Sequence, residues 1–192
     1  MFKIKKHVLF FTAAIVFIVL ASPGPGTLAF EKADRDEITA LYLYNFLLFV
    51  EWPASAFNDK DCVCTAILGD DLLFEALKPM DGKAIKGRKM IVKQCEDLKD
   101  LERPFHVIFI GSSVKALVPQ ILEQIKDEPV LTVSDMVGFT QMGGMVFFRN
   151  IDDPSDKTGY PKRFEINLPA VKRAGLKIRS RLLRLSDVVN NP

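Results

Sequence analysis

The chain has 192 residues, 48% hydrophobic and 26% charged, with 26 Lys and Arg against 24 Asp and Glu. That length and balance are those of one globular domain of ordinary size. A formal net charge of +2 leaves no electrostatic footprint for nucleic acid.

What little basicity there is sits at the start. Lys3, Lys5 and Lys6 precede an uncharged apolar run, Val8 to Leu20, which Ser22-Pro-Gly-Pro-Gly26 breaks. Thr27-Leu28-Ala29 then offers small residues where a signal peptidase reads. This is the three-part secretory signal, and its apolar core is short beside the roughly 20 residues of a membrane helix. A cleaved leader over residues 1–29 is expected, with a retained anchor as the other reading. No Cys follows the run, which argues against a lipoprotein. Without the leader the chain carries 23 basic and 24 acidic residues, a net charge near −1. Residues 30–192 are expected to form one exported domain.

The stretch Ala40–Val50 (ALYLYNFLLFV) reads as a helix, introduced by carboxylates at Asp34, Asp36 and Glu37 and closed ahead of Pro53. Leu41, Asn45, Leu48, Phe49 and Trp52 share one face, Leu43, Phe46, Leu47 and Val50 the other. A helix apolar on both faces is buried all round, by its own domain or with a partner's help. Asn45, its one polar side chain, is expected to bond nearby backbone.

Strand and helix signals then alternate. Cys62–Leu68 is rich in strand formers and ends at Gly69-Asp70-Asp71. Leu72, Leu73, Ala76 and Leu77 have helical spacing before Pro79. Lys89–Gln94 reads as a second strand, Glu96–Glu102 as a short helix, and His106–Ile110 as a buried strand followed by Gly111-Ser112-Ser113. Lys115–Lys126 is an amphipathic helix and Val130–Val133 a strand followed by Ser134-Asp135. The alternation predicts an α/β fold, Rossmann-like, with a mostly parallel sheet covered by helices on both faces. Asp70, Ser112, Ser113 and Asp135 would line the carboxyl edge of that sheet, where open α/β sheets bind ligands. Gly111-Ser-Ser113 is a weak anion motif, and the simpler reading is a helix cap by one of the serines.

Past Ser134 the texture changes. Met145–Phe148 and Arg163–Asn167 read as a C-terminal antiparallel hairpin joined by residues 150–162. Leu168–Ala174 is a short helix closed by Gly175. Arg179–Leu185 (RSRLLRL) reads as a last helix with leucines inward and Arg179, Arg181 and Arg184 outward, in solvent, paired with Glu165, or holding an acidic ligand.

Chemical signatures are few. There is no G-x-G-x-x-G and no P-loop, so no cofactor is expected. His106 has no G-x-S-x-G partner and reads as structural. Asp70-Asp71 and Asp152-Asp153 read as solvated loop acids. Three cysteines, Cys62, Cys64 and Cys95, lie in the exported part without zinc spacing, and an odd count leaves at least one unpaired within the chain. Cys62 and Cys64 share a strand face and are poorly placed to bond to each other. The residues thus favour a binder over a catalyst.

Several runs in order carry a resemblance: ALYLYNFLLFVEWP (40–53), ILGDD (67–71), HVIFIGSS (106–113), VLTVSDMVGF (130–139), GGMVFF (143–148) and RFEINLPAVKRAGLKIRSRLLRL (163–185). Together they resemble the YfiR-like family of periplasmic proteins over nearly all of the exported chain. The resemblance implies a non-enzymatic regulator that binds the periplasmic sensor domain of an inner-membrane diguanylate cyclase and restrains cyclic di-GMP synthesis, with biofilm formation and motility downstream. It also implies homodimers. Family members often have a Cys at the start of the HVIFI strand that bridges to the position of Cys64, whereas this chain has Phe105 there. A Cys64–Cys95 bond is disfavoured if their strands run parallel.

A regulator working by contact needs an exposed apolar patch, and Phe139, Met142, Met145, Phe147 and Tyr160 are the candidates. The alternative is a small-ligand receptor, using the edge at Asp70, Ser112, Ser113 and Asp135 together with Arg179 and Arg181.

Overall fold

The helix expected around residues 40–50 is present and longer, α1 covering Pro25–Phe49. The computed structural model describes residues 25–57, 61–101, 104–149 and 164–190. The helix does not start at the carboxylates of residues 34–37 but runs through them, beginning within the expected leader. Residues 1–24 of that leader lie outside the described residues, as do Asp152-Asp153 and Tyr160. Its end is where Pro53 requires, since the residue before a proline is pushed out of helical geometry. Among the described residues no helix is long and apolar enough to cross a membrane.

Among the described residues ten strands follow in chain order: β1 (Val50–Glu51), β2 (Cys62–Leu68), β3 (Ala84–Ile85), β4 (Arg88–Cys95), β5 (Val107–Ile110), β6 (Leu131–Ser134), β7 (Val146–Phe148), β8 (Phe164–Asn167), β9 (Lys177–Ile178) and β10 (Asp187–Val189). Eight of these described strands form one sheet in the order β10-β8-β7-β6-β5-β2-β4-β3, and β1 pairs with β9 apart from it. Five pairings in the large sheet are parallel; β3–β4 and β7–β8 are antiparallel. The fold is therefore α/β with a mixed sheet, less uniformly parallel than the sequence predicts. Its central parallel strands, β4-β2-β5-β6-β7, follow the 2-1-3-4-5 order of doubly wound sheets, with the order reversing between β2 and β5.

Both sheet faces are covered, and the period-2 rule shows why these strands read as continuous apolar runs. In β5, Val107 and Phe109 join one core with α1, while Ile108 and Ile110 join the other. The first core holds Leu43, Phe46 and Leu47 of α1, Val50 of β1, and Leu73 and Leu77 of α2 (Asp71–Leu77). It also holds Ala170 and Val171 of α4 (Leu168–Arg173) and Leu182 of α5 (Ser180–Leu183). The second holds Val118 and Ile121 of α3 (Val118–Gln124) with Phe105 and Phe139.

The hairpin of β7 and β8 is as expected, but it does not end the sheet, because β10 adds a parallel strand beyond β8. The helix expected over 115–126 is split. A 3-10 turn spans Ser112–Leu117, and Pro119 lies in the first turn of α3, where a missing N–H costs nothing. The segment after β4 is a 3-10 turn, Leu98–Asp100, rather than a helix. The final helix is only four residues long; Leu182 is buried, but Leu185 is 58% exposed.

At the carboxyl edge the β2 and β5 loops interlock. Ser113 Oγ donates to the Gly69 carbonyl at 2.6 Å, and a Cβ on Gly111 would lie 2.4 Å from that same oxygen. Backbone rather than a movable side chain is in the way, so only glycine fits at 111. Gly111→Ala should destabilise the fold by about 1–3 kcal/mol, the cost of forced overpacking, read as a lower urea midpoint with an unchanged denaturant slope.

Candidate functional site

Where α1 stops, its last carbonyls lack intrahelical partners and need donors. Lys86 Nζ donates to the Val50 carbonyl at 2.6 Å, and the Arg179 N–H donates to the Phe49 carbonyl at 3.1 Å. These donors come from the β3–β4 turn and from the end of β9, so the helix end gathers two cationic side chains. Trp52 and Phe57 follow α1 immediately. Together with Glu51, Val63 and Arg88 they line a cleft of about 250 Å³ at the amino edge of the parallel strands.

Its walls are stacked rings and cations. Arg88 Cζ lies 3.9 Å from the centre of the Phe57 ring, and Phe57 stacks on His106 at 4.8 Å and 27°. Trp52 meets His106 edge-on at 6.1 Å and donates its indole N–H to the His106 carbonyl at 3.1 Å. Lys86 Nζ lies 6.0 Å from the centre of the Trp52 ring.

Two of the three cations have carboxylates. Arg179 pairs with Glu51 at 2.9 Å, and Arg88 with Asp61 at 3.1 Å. The Arg179 hydrogen bond and charge hold the Glu51 carboxyl below its ordinary range, with smaller help from Lys86 and Lys177. Lys86 has no ion-pair partner among the described residues. Burial pushes its ammonium pKa down, and the Arg179 charge adds to that. Its backbone is also strained, with φ at +50°. This left-handed conformation costs a non-glycine residue roughly 1 kcal/mol. The surrounding turn (Gly82, Gly87) holds it there with further left-handed glycines.

His106 lies beneath the cleft, fully buried. Its Nδ1 accepts the Cys64 N–H at 3.1 Å, so the ring proton must sit on Nε2 and the ring is neutral. Burial, and then the Arg88 charge, depress its pKa from 6.5 to about 4, while the Ala56 backbone pulls the other way. The residue is structural, as its sequence context predicts.

The residues expected to form a ligand edge divide between two ends of the sheet. Asp70, Ser112, Ser113 and Asp135 do follow adjacent strands at the carboxyl edge. Two of them are engaged locally: Asp70 caps α2 by accepting the Leu73 N–H at 3.1 Å, and Ser113 closes the loop against Gly69. Neither serine caps the following turn, whose cap position is Gly111. Arg179, next to Glu51, belongs to the opposite edge with exposed Arg181, about the length of β2 away, seven residues at about 3.3 Å each. The cleft residues Lys86 and Arg88 were missed by the sequence reading; nothing local in Ile85-Lys-Gly-Arg88 announces a site.

Of the expected contact patch, Phe139 and Met145 belong to the core, 0% and 6% exposed. Their positions follow from packing: Gly144 sits so close to the Phe139 ring that a Cβ there would be 2.2 Å from it. Phe147 is half-buried, Met142 is exposed, and Tyr160 lies outside the described residues. Nor is α1 buried all round. Ile38 and Leu41 are exposed and Asn45 half-buried on the face turned from the sheet, and Leu48 beside them packs partly against the core. Asn45 is therefore not a buried amide.

Glu165 is bound, though not to the C-terminal arginines. Arg149 bridges it to Asp187, at 3.3 and 2.9 Å, and Thr140 donates its hydroxyl to it. This network fastens β10 to the hairpin. No disulfide joins Cys62, Cys64 or Cys95, and the Cys62 and Cys64 sulfurs lie 3.7 Å apart. The parallel register puts Cys95 opposite Leu68, four residues past Cys64, which rules out their bond. Phe105 shares the second core with Cys64, taking the space a bridging cysteine would use. Burial and the nearby Asp100 charge push the Cys95 thiol up to about 11.

The family model described as YfiR/HmsC-like matches residues 36–187, the greater part of the chain, from within α1 to the start of β10.

His106 sets a pH dependence of known sign. Its folded pKa lies below the unfolded value, so the unfolded chain takes up the proton first as pH falls. The stability from keeping it neutral is intact above about 6.5 and is lost progressively down to about 4. The drop should be about 3 kcal/mol, measured by urea denaturation at stepwise pH, and His106→Asn should flatten it over that window.

Proposed function

The chain belongs to the YfiR/HmsC-like family, a family of periplasmic regulators, and on that premise we propose that it is a non-enzymatic regulator acting by protein contact. It is exported by its N-terminal leader. Its partner is the periplasmic sensor domain of an inner-membrane diguanylate cyclase, and binding represses cyclic di-GMP synthesis, with biofilm formation downstream. Its layout is Rossmann-like in the sense of the doubly wound strand order.

One observation carries the contact reading. The domain covers only one side of its most apolar helix. Ile38 is 37% and Leu41 54% exposed, in line with half-buried Asn45 and Leu48, on a helix whose opposite stripe is wholly buried. A helix apolar on both faces with only one covered leaves its second face for a partner. To repress, the regulator must bind one state of the cyclase better than another, since equal affinity shifts nothing. A second copy docking through the same face would give the homodimer.

The test is capture from detergent-solubilised membranes of the source cell by the exported chain carrying a C-terminal tag, with reductant present. The expected result is recovery of a transmembrane protein with a cyclase domain, and loss of that capture by Leu41→Glu with no change in melting temperature beyond about 0.5 kcal/mol of stability. Sedimentation of both proteins reads the dimer in parallel. Recovery of no such membrane protein overturns the partner, and equal capture by the variant overturns the helix face.

A further inference from the structure

The amino-edge cleft sets cationic side chains opposite apolar and aromatic walls. We propose that it is a binding site for a small organic anion, a carboxylate or phosphate held by Lys86 and flanked by Trp52 and Arg179. The inference stands apart from the partner reading and concerns an input to the protein rather than its output.

Three independent features converge. The first is an excess of positive charge: Lys86, Arg88 and Arg179 line the same cleft, Glu51 pairs with Arg179 and Asp61 with Arg88, and the charge of Lys86 is left over. The second is the state of Lys86. Lys86 is an exposed residue of the cleft rim whose side chain reaches in beside Arg179; it has no ion-pair partner among the described residues, and the Val50 carbonyl uses one of its three N–H donors. Capping the helix end explains that one bond. It does not explain a long cation brought into a half-buried cleft on a left-handed backbone, where a glycine would make the turn without strain. An anion beside Lys86 would accept its two remaining N–H donors and bring a negative charge between Lys86 and Arg179.

The third feature is shape and selectivity. At about 250 Å³ the cleft suits a few heavy atoms rather than a nucleotide-sized ligand, for sites of drug-sized molecules begin at about 300 Å³. Apolar and aromatic walls (Leu47, Trp52, Val63 and Ile85) sit opposite the cations. An anion with a small apolar body therefore satisfies both sides, whereas a bare inorganic ion satisfies one. Phe57 is already sandwiched between Arg88 and His106, which leaves Trp52 as the ring available to a ligand.

Trp52 is the only tryptophan in the chain, so its indole N–H gives a single cross-peak in a proton–nitrogen correlation spectrum. The experiment titrates the full exported chain with sodium benzoate, sodium acetate and inorganic phosphate in turn, ionic strength being held with sodium chloride. The expected result is a saturable shift of the indole peak, tightest with benzoate and about tenfold weaker in Lys86→Gly, the loss of one charge-assisted hydrogen bond. Glycine suits the left-handed position, so the variant should keep the remaining spectrum unchanged. Arg179→Gln provides a second variant if it does not. Saturation by phosphate with no gain from benzoate would assign a phosphate ligand within the same proposal. No saturable shift with any of the three, or equal affinity in both variants, would overturn it. Neither result depends on whether a membrane partner is captured.

Discussion

Everything in this molecule leans on the buried stripe of α1. Ala40, Leu43, Phe46 and Leu47, continued by Val50 just past the helix end, fall on one side and pack on one face of the sheet together with α2, α4 and α5. Phe46 reaches the C-terminal hairpin, its ring 5.6 Å from Phe148 and 5.3 Å from Phe164, with Tyr42 packed on the same pair. The same stripe meets Leu73 and Leu77 of α2 over the N-terminal half. One helix thus joins the two halves of the sheet through aromatic contacts that bury large area per side chain. The position of its last turn follows from that packing, and so does the cleft. Trp52 can reach the His106 carbonyl only because Val50 is already seated in the core.

The β1–β9 pairing is the second consequence. Two residues on each side, Val50 with Ile178 and Glu51 with Lys177, make a ladder too short to stand alone. It exists because α1 and α4 deliver both segments to the same place, and the Glu51–Arg179 pair then spans 128 positions of sequence. That ion pair is half exposed, so its worth in stability is small. Its geometric effect is larger, since it sets the two charged side chains along one wall of the cleft and neutralises the only acid there.

These features mark how far the sequence could be read. The long apolar strands, the hairpin and the last residues of α1 follow from local pattern, because a run such as His106–Ile110 has only one compact use between two helical layers. The two-residue strands β1, β3 and β9 carry no such signal; tertiary pairing makes them, not composition. The same holds for β10, where Asp187 joins the sheet through Arg149, a contact no window of sequence contains. Apolarity also misled in a specific way. Phe139 and Met145 look like surface aromatics and thioethers in a glycine-rich loop, yet Gly144 lets that loop fold flat on the Phe139 ring and carries both inward. Leu41 and Ile38 look like core and are outside. Hydrophobicity fixes how much must be buried but not which face, and the contacts of Phe46 with Phe148 and Phe164, distant in sequence, decide it here.

The location of the cleft reverses the usual rule for open α/β sheets, and the reason is steric. Ligands bind at the carboxyl edge where diverging loops leave a crevice at the point of strand-order reversal. Here that point lies between β2 and β5, and Gly69 and Gly111 bring the two loops into backbone contact with Ser113 bonded across them. The crevice is filled by the protein's own chain. At the opposite edge, α1 arrives with its carbonyl end and Pro53 stops it short of covering the strand starts. A helix C-terminus carries partial negative charge and recruits cations, so the space left under α1 is walled by lysine and arginine. Closure of one edge and termination of one helix at the other together place the protein's concave, charged surface among the strand beginnings, directly below the helix whose outer face remains uncovered.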